Sequence, residues 1–172
     1  MSRELFTSWT DYQSAIDRLL ALAAKRIWIY DEDLGLLHLE TAERIEMLKR
    51  PLASTRQDCL RIALRNTAPL QQRQPLMQRL LATHSHNSAA QKTPEQLSHL
   101  RDSIILVDDV HALIRFDRDQ PRSKLLIDEP DAHLELLRQR QVFALLRDIG
   151  HRNGCQVVLV THSEVVLGEA LD

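Results

Sequence analysis

The sequence predicts a single α/β domain whose mixed, mostly parallel sheet is flanked by helices. Short runs rich in β-branched residues alternate along the chain with longer segments whose apolar residues recur at helical spacing. The runs at 124–128 and 155–160 each contain a continuous apolar stretch, "LLI" and "VVLV", which is typical of central strands covered on both faces. With 172 residues, the chain is long enough for one compact domain, 1–172, and too short for two ordinary ones.

The first part of the chain contains helical and strand patterns in alternation. An apolar stripe at 9–23 predicts a first helix, and the run at 26–30 predicts a strand that ends in the acidic triplet 31–33. A second helix is expected to stop near Pro51, because proline disrupts a helix interior. The apolar run at 59–64 predicts the second strand.

The second part continues the alternation after a polar stretch. Residues 75–82 predict a short helix that opens with proline, and residues 84–96 predict a loop with one edge strand. The segment 103–116 predicts two strands joined by a turn at Asp108 and Asp109. A further amphipathic helix is predicted at 131–149, ahead of the apolar run at 155–160.

Charge and composition bear on partners and on the compartment. The net charge of −2 is not that of a protein that coats nucleic acid, so we expect no strong nucleic-acid signal. No segment approaches 18 apolar residues, so we expect no membrane partner, while a protein partner is left open. Cys59 and Cys155 each lie in an apolar run, which favours a reducing, cytoplasmic compartment.

An acidic pair follows the predicted strand at 124–128. Ligands bind in α/β sheets at the carboxyl ends of strands, where Asp128 could hold Mg²⁺ and Glu129 could activate water. His162 follows the next predicted strand, and a parallel neighbour would bring it to the same end of the sheet. The alternative is that both acids simply favour the start of the next helix, by about 0.3–1 kcal/mol.

Three short motifs extend this pattern in order: "LLIDEP", "DAHLE" and "VTHS". With these motifs, residues 124–168 resemble the end of the ATPase domain in soluble ABC-type proteins. The resemblance implies that Asp128 is the metal-binding carboxylate, Glu129 the catalytic base and His162 the switch histidine that contacts a terminal phosphate.

The phosphate-binding loop of such a site is missing from the sequence. That loop has the pattern GxxxxGK[ST], in which backbone N–H groups and a lysine hold the phosphates. The chain has four glycines, and none of them is followed by lysine. Under the ATPase alternative, another chain therefore supplies this loop to Mg-ATP; otherwise we expect no cofactor.

Residues 5–127 resemble a different group: uncharacterised bacterial domains related to the phospholipase D fold. The matching stretches include "FTSWTDYQSAIDRLLALAAKRIWIYDEDL" and "LRIALRNTAPLQQRQPLMQRLL". Active phospholipase D enzymes use HxKxxxxD. Aligning Asp108 with the aspartate of that motif puts Arg101 in place of the histidine and Ser103 in place of the lysine. A guanidinium remains protonated and cannot act as the nucleophile, so hydrolysis by this route is not expected.

Anion binding is the property that such a degenerate fold could retain. Arg101, His111, Arg115 and Arg122 fall within one predicted hairpin and its loop, and arginine suits phosphate contacts. A solvated turn of mixed charge is the competing interpretation. We therefore expect a non-catalytic binding or regulatory module. The alternative is an ATPase fragment that uses Asp128, Glu129 and His162.

Overall fold

The structure is a computed structural model that describes residues 2–97 and 99–127. The described residues form one seven-stranded sheet with four α-helices and two short 3₁₀ turns, Gly35–Leu37 and Glu95–Leu97. The strands are β1 (Ser2–Phe6), β2 (Ile27–Asp31), β3 (Leu60–Leu64), β4 (Ser88–Lys92), β5 (Ser103–Val107), β6 (His111–Arg115) and β7 (Ser123–Ile127), and the helices are α1 (Trp9–Leu22), α2 (Ala42–Leu52), α3 (Ala68–Arg73) and α4 (Pro75–Thr83).

The sheet is mixed, as predicted, but it is mostly antiparallel. Its strand order is β1-β7-β6-β5-β2-β3-β4, and only the β2–β3 and β3–β4 pairs are parallel. The strands β5, β6 and β7 follow one another without an intervening helix, and short connections can join only antiparallel neighbours. The prediction of a mostly parallel sheet is wrong because it extended the early strand–helix alternation to this hairpin region.

Most predicted elements of the described part are confirmed. The predicted strands at 26–30 and 59–64 are β2 and β3, and the predicted edge strand within 84–96 is β4. Asp108 and Asp109 form the turn between β5 and β6, with φ angles of 54° and 65°. Val107 pairs with His111, so the hairpin loop has three residues, and short hairpin loops commonly include left-handed positions. Strand β1 is not predicted by the sequence, because its residues "SRELF" lack a clear apolar alternation.

All four α-helices pack on one face of the sheet, which we call the first face. Helix α1 begins at Ser8, whose hydroxyl accepts a hydrogen bond from the Asp11 N–H at 3.1 Å. It buries Tyr12, Ile16 and Leu19 against the strands. The strand residues of this face include Ile29, Ile62, Ile105, Leu113 and Leu125, and the core they form with the helices is the larger of two apolar clusters.

The opposite side, which we call the second face, carries the smaller apolar cluster. It is built from residues that alternate with those of the first face on five strands, from β3 to β7 across the sheet. Its members are Trp28, Tyr30, Ala63, Ile104, Ala112, Ile114 and Leu126.

Several predictions concern residues outside the described part: the segments 131–149 and 155–160, and with them Asp128, Glu129 and His162. Among the described helices, none combines the length and apolar character needed to cross a bilayer. The organisation of 1–172 as one domain stays a prediction.

Candidate functional site

A row of buried polar residues crosses the first face at one end of the sheet. Ser103 on β5 lies opposite Arg115 on β6, which lies opposite Ser123 on β7. Asp31 extends the row on β2, since the preceding residue of that strand, Tyr30, pairs with Ile104. All four side chains are at most 1% exposed. This end of the sheet is therefore the most polar part of the described interior.

The row is centred on a buried ion pair between Arg115 and Asp31. The Nη2 atom of Arg115 lies 3.4 Å from Oδ2 of Asp31. The Nη1 atom of Arg115 donates to the carbonyls of Asp117 and Arg118, so the guanidinium also holds the loop after β6. The other carboxylate oxygen of Asp31 accepts from the Leu34 N–H at 2.9 Å. Because both charges are buried, removing either partner alone is costly.

Two aromatic rings from α1 lie against the same guanidinium. The ring centroids of Trp9 and Tyr12 are 5.6 and 5.4 Å from Cζ of Arg115, within the range of cation–π attraction. Burial raises the pKa of the Tyr12 phenol, and the nearby Arg115 guanidinium and Ser103 hydroxyl offset part of that rise. The phenol is therefore protonated at neutral pH.

Two donors of this row lack hydrogen-bond acceptors within the described part of the chain. They are the hydroxyl of Ser123 and the Nε of Arg115. Buried polar groups are ordinarily satisfied by protein or by ordered water. A guanidinium cannot transfer protons, so the row can hold polar groups but offers no acid–base chemistry through Arg115.

The four residues of the predicted anion site do not meet at one point. Arg101 is more than half exposed and pairs with Asp119 at 2.8 Å, near the loop after β6. Arg122 lies in the same loop, where its carbonyl accepts from the Phe116 N–H at 3.1 Å. His111 lies at the opposite end of β6 from Arg115, where it pairs with Val107 and Ile127. The structure thus groups the three arginines around one end of the sheet and separates His111 from them.

The acidic triplet 31–33, which begins at the last residue of β2, forms ion pairs and hydrogen bonds with neighbouring residues. Glu32 lies 2.7 Å from Arg65 and 3.7 Å from Arg118. Asp33 accepts from the Gly35 N–H at 2.8 Å, which closes a tight turn. Among the described residues, no group of three or more metal-ligating side chains is placed to hold an ion.

Asp108, which aligns with the aspartate of the phospholipase D motif, has a structural role. Its carboxylate accepts from the N–H groups of Ala24, Lys25 and Arg26, at 2.8–2.9 Å. These bonds tie the β5–β6 turn to the segment that leads into β2.

The acidic pair of the ATPase-like segment comes directly after β7. This strand is mainly buried and ends at Ile127, one residue before Asp128. Both edges of β7 are paired antiparallel, with β1 on one side and β6 on the other. Neither neighbour of β7 therefore runs parallel to it, and the strand predicted at 155–160 lies with His162 outside the described residues.

Local sequence patterns do not predict the buried row. Tyr12 falls in an apolar helical stripe, which predicts a core position, while Ser103 and Ser123 stand at the first positions of apolar strands. The signal that the sequence offers is a charge at the end of an apolar run, as at Asp31 and Arg115. Only the pairing of β2, β5 and β6 in the sheet shows that the two charges lie next to each other.

A family model with the description "AAA domain, putative AbiEii toxin, Type IV TA system" matches residues 111–168, roughly a third of the chain. The match begins at β6, includes β7 and continues through the acidic pair to His162. An ATPase-like segment is therefore present. Neither this match nor the structural comparison supports the phospholipase-D-like resemblance of residues 5–127.

One similar solved structure is that of the archaeal chromatin protein TrmBL2, which is described as showing a novel mode of DNA binding. The TM-score is 0.56 at 10% sequence identity, over 92% of this chain. The match covers 54% of the TrmBL2 chain, so this chain spans about half of that protein's length. The likeness concerns the fold, and it corrects the expectation of no strong nucleic-acid signal. No curated protein matches the chain.

Proposed function

We propose that this chain contributes the acidic half of a Mg-ATP site whose phosphate-binding loop belongs to another chain. The observation that supports it most directly is the family match across 111–168, which spans Asp128, Glu129 and His162. In this proposal Asp128 holds the magnesium ion, and Glu129 orients and deprotonates the attacking water. His162 contacts the terminal phosphate.

The fold of the described part is consistent with a supporting role for β7. This strand is anchored on both sides, by β1 and β6, and its residues Leu125 and Leu126 are each 1% exposed. A strand held in this way fixes the backbone position from which the acidic pair begins. The sequence supplies no GxxxxGK[ST] loop, so the phosphates need donors from a partner.

The first experiment measures whether the isolated chain binds nucleotide. Isothermal titration of the full chain with Mg-ATP is expected to give no sub-millimolar binding, because the phosphates lack their loop. Sub-millimolar binding that Asp128→Asn abolishes would show a self-sufficient site and refute the need for a second chain. Asp148→Asn is the matched control, since it removes the same charge elsewhere in the segment.

The second experiment supplies the missing loop. An ATPase of the matched family that retains its phosphate loop, but carries glutamine in place of its catalytic glutamate, is mixed with the full chain. We expect this chain to restore ATP turnover, and Glu129→Gln to remove the restored activity. If the unaltered chain restores no phosphate release at any ratio of the two proteins, the proposed function is wrong.

DNA binding is a second candidate function, and the observation that favours it is the similarity in fold to TrmBL2, a chromatin protein with a novel mode of DNA binding. Binding of this kind depends on phosphate contacts and therefore weakens steeply with salt. Fluorescence anisotropy with a labelled duplex at low and moderate salt measures it. Binding that does not respond to salt, or no binding at low salt, would count against this candidate.

A further inference from the structure

Two donors of the buried row have no acceptor within the described part of the chain: the Nε–H of Arg115 and the hydroxyl of Ser123. The two residues lie directly opposite each other on β6 and β7, and they are 1% and 0% exposed. Buried donors are ordinarily satisfied by protein, water or a ligand. An acceptor that reaches both side chains is therefore expected at this position.

The other N–H groups of the Arg115 guanidinium have partners. The Nη1 atom donates to the carbonyls of Asp117 and Arg118, and Nη2 lies 3.4 Å from Oδ2 of Asp31. A charge-assisted bond of this kind is ordinarily shorter, about 2.7–2.9 Å. The Nε edge is therefore the edge of the guanidinium that is left for a further acceptor.

The first turn of α1 lies beside the same guanidinium, since the rings of Trp9 and Tyr12 are 5.6 and 5.4 Å from Cζ of Arg115. The first N–H groups of a helix have no acceptor within the helix, and this end of the helix dipole is positive. The Ser8 hydroxyl accepts from the Asp11 N–H, so the two N–H groups before Asp11 are left for a ligand. The start of α1 therefore favours an anion at this end of the sheet.

Further positive charge comes from Arg118 and Arg122, which lie in the loop after β6. Two acids in the neighbourhood are already engaged. The Asp119 carboxylate pairs with Arg101 at 2.8 Å, and the Asp11 carboxylate accepts from the Ser8 hydroxyl at 2.6 Å. The unsatisfied groups of this region are thus donors, and the ligand that suits them is an acceptor with negative charge.

We propose that this end of the first face binds a small oxyanion, the phosphate or carboxylate group of a ligand, between Arg115 and Ser123. The Arg115 Nε–H and the Ser123 hydroxyl donate to its oxygens, and the start of α1 adds its N–H groups. The strands β2, β3 and β6 all end at this edge of the sheet, where α/β proteins bind ligands. The ring of Trp9 is 37% exposed, so the ligand enters past this ring.

This site is separate from the Mg-ATP site of the proposed function. Strand β7 begins at Ser123 and ends at Ile127, directly before the acidic pair. Four residue steps along a strand span roughly 13 Å. The oxyanion and the acidic pair therefore belong to opposite ends of β7, and each proposal can fail without the other.

The first test is isothermal titration of the full chain with sodium phosphate, and separately with sodium acetate, at an ionic strength held constant with sodium chloride. We expect saturable binding of at least one anion, and the tighter of the two identifies the group. Ser123→Ala should weaken this binding roughly tenfold, because it removes a hydrogen bond to a charged group. The matched control is Ser88→Ala, a buried serine at the opposite end of the sheet, which should leave binding unchanged.

Trp9 provides a second readout that needs no substitution within the site. The chain has two tryptophans, so Trp28→Phe, on the second face, leaves Trp9 as the sole emitter. Its emission should change on titration with the anion and saturate with the same constant as the heat.

Three results would overturn the proposal. The first is no saturable binding of either anion, which would leave water as the acceptor of the two donors. The second is equal weakening by Ser123→Ala and Ser88→Ala. The third is binding heat without a change in Trp9 emission, since the anion would then bind elsewhere.

Discussion

At the scale of single residues, the most consequential contact in the described part is the ion pair of Arg115 and Asp31. Both side chains are almost wholly buried, and the guanidinium also holds two carbonyls of the following loop. The pair therefore ties β2, β6 and that loop together, while the rings of Trp9 and Tyr12 join it to α1.

We expect Arg115→Met to destabilise the protein by about 3–5 kcal/mol, because it leaves the Asp31 carboxylate buried without its partner. Urea unfolding followed by circular dichroism measures this. The control is Arg118→Met, which removes a half-exposed arginine 3.7 Å from Glu32 and should cost under about 1 kcal/mol. Equal effects of the two substitutions would contradict a special role for the buried pair.

The sequence allowed Asp31 and Arg115 to be identified as charges at strand ends, but it did not allow them to be paired. They lie far apart in the chain, and only the order of β2, β5 and β6 in the sheet brings them together. Local patterns carry no information on such an order. For the same reason, the sequence places His111 and Arg115 in one predicted anion site, although the two residues lie at opposite ends of one strand.

A second effect at the residue scale concerns pH. Burial raises the pKa of the Asp109 carboxyl, and Arg26 offsets part of this rise. Because the pKa of Asp109 is higher in the folded protein than in the unfolded chain, its protonated form favours folding. That contribution to stability is fully present below the unfolded pKa of about 3.9, and it is lost as pH rises through the pKa of the folded state. Asp109→Asn should therefore gain stability relative to the unaltered chain at pH 7, and less at pH 4. Urea unfolding at the two pH values checks this, and a pH-independent difference would contradict it.

At the scale of elements, the hairpin of β5 and β6 was predictable and the β1–β7 pairing was not. Two adjacent aspartates between apolar runs are a direct turn signal, and both adopt the left-handed backbone. Strand β1 is short and polar, and it pairs with the most distant strand of the described part. Its existence depends on a long-range contact rather than on a local preference.

The two turn residues should respond differently to the same substitution. Asp108→Gly removes the acceptor for three backbone N–H groups and is expected to cost about 2–3 kcal/mol. Asp109→Gly retains those bonds and suits a positive φ, so its effect should stay within about 1 kcal/mol. Unfolding midpoints in urea compare the two variants directly, and a more harmful Asp109→Gly would refute this division of roles.

At the scale of the whole molecule, the described part has one large core shared by all four helices and the sheet. If 1–172 is one cooperative domain, as the sequence predicts, this core should unfold together with the rest of the chain. We expect the urea transitions measured by tryptophan emission and by hydrogen exchange within 131–149 to coincide. A separate, earlier transition of that segment would show that 1–172 is not one cooperative domain.

The antiparallel neighbours of β7 have a consequence for any reaction at its carboxyl end. In a sheet of parallel strands, several loops converge at that end and jointly enclose a nucleotide. Here the chain that leaves β7 has the beginnings of β6 and β1 beside it, so the described part of the sheet builds no such enclosure. Under the proposed function, hydrolysis would then require two proteins to associate, and this chain alone would not turn over ATP.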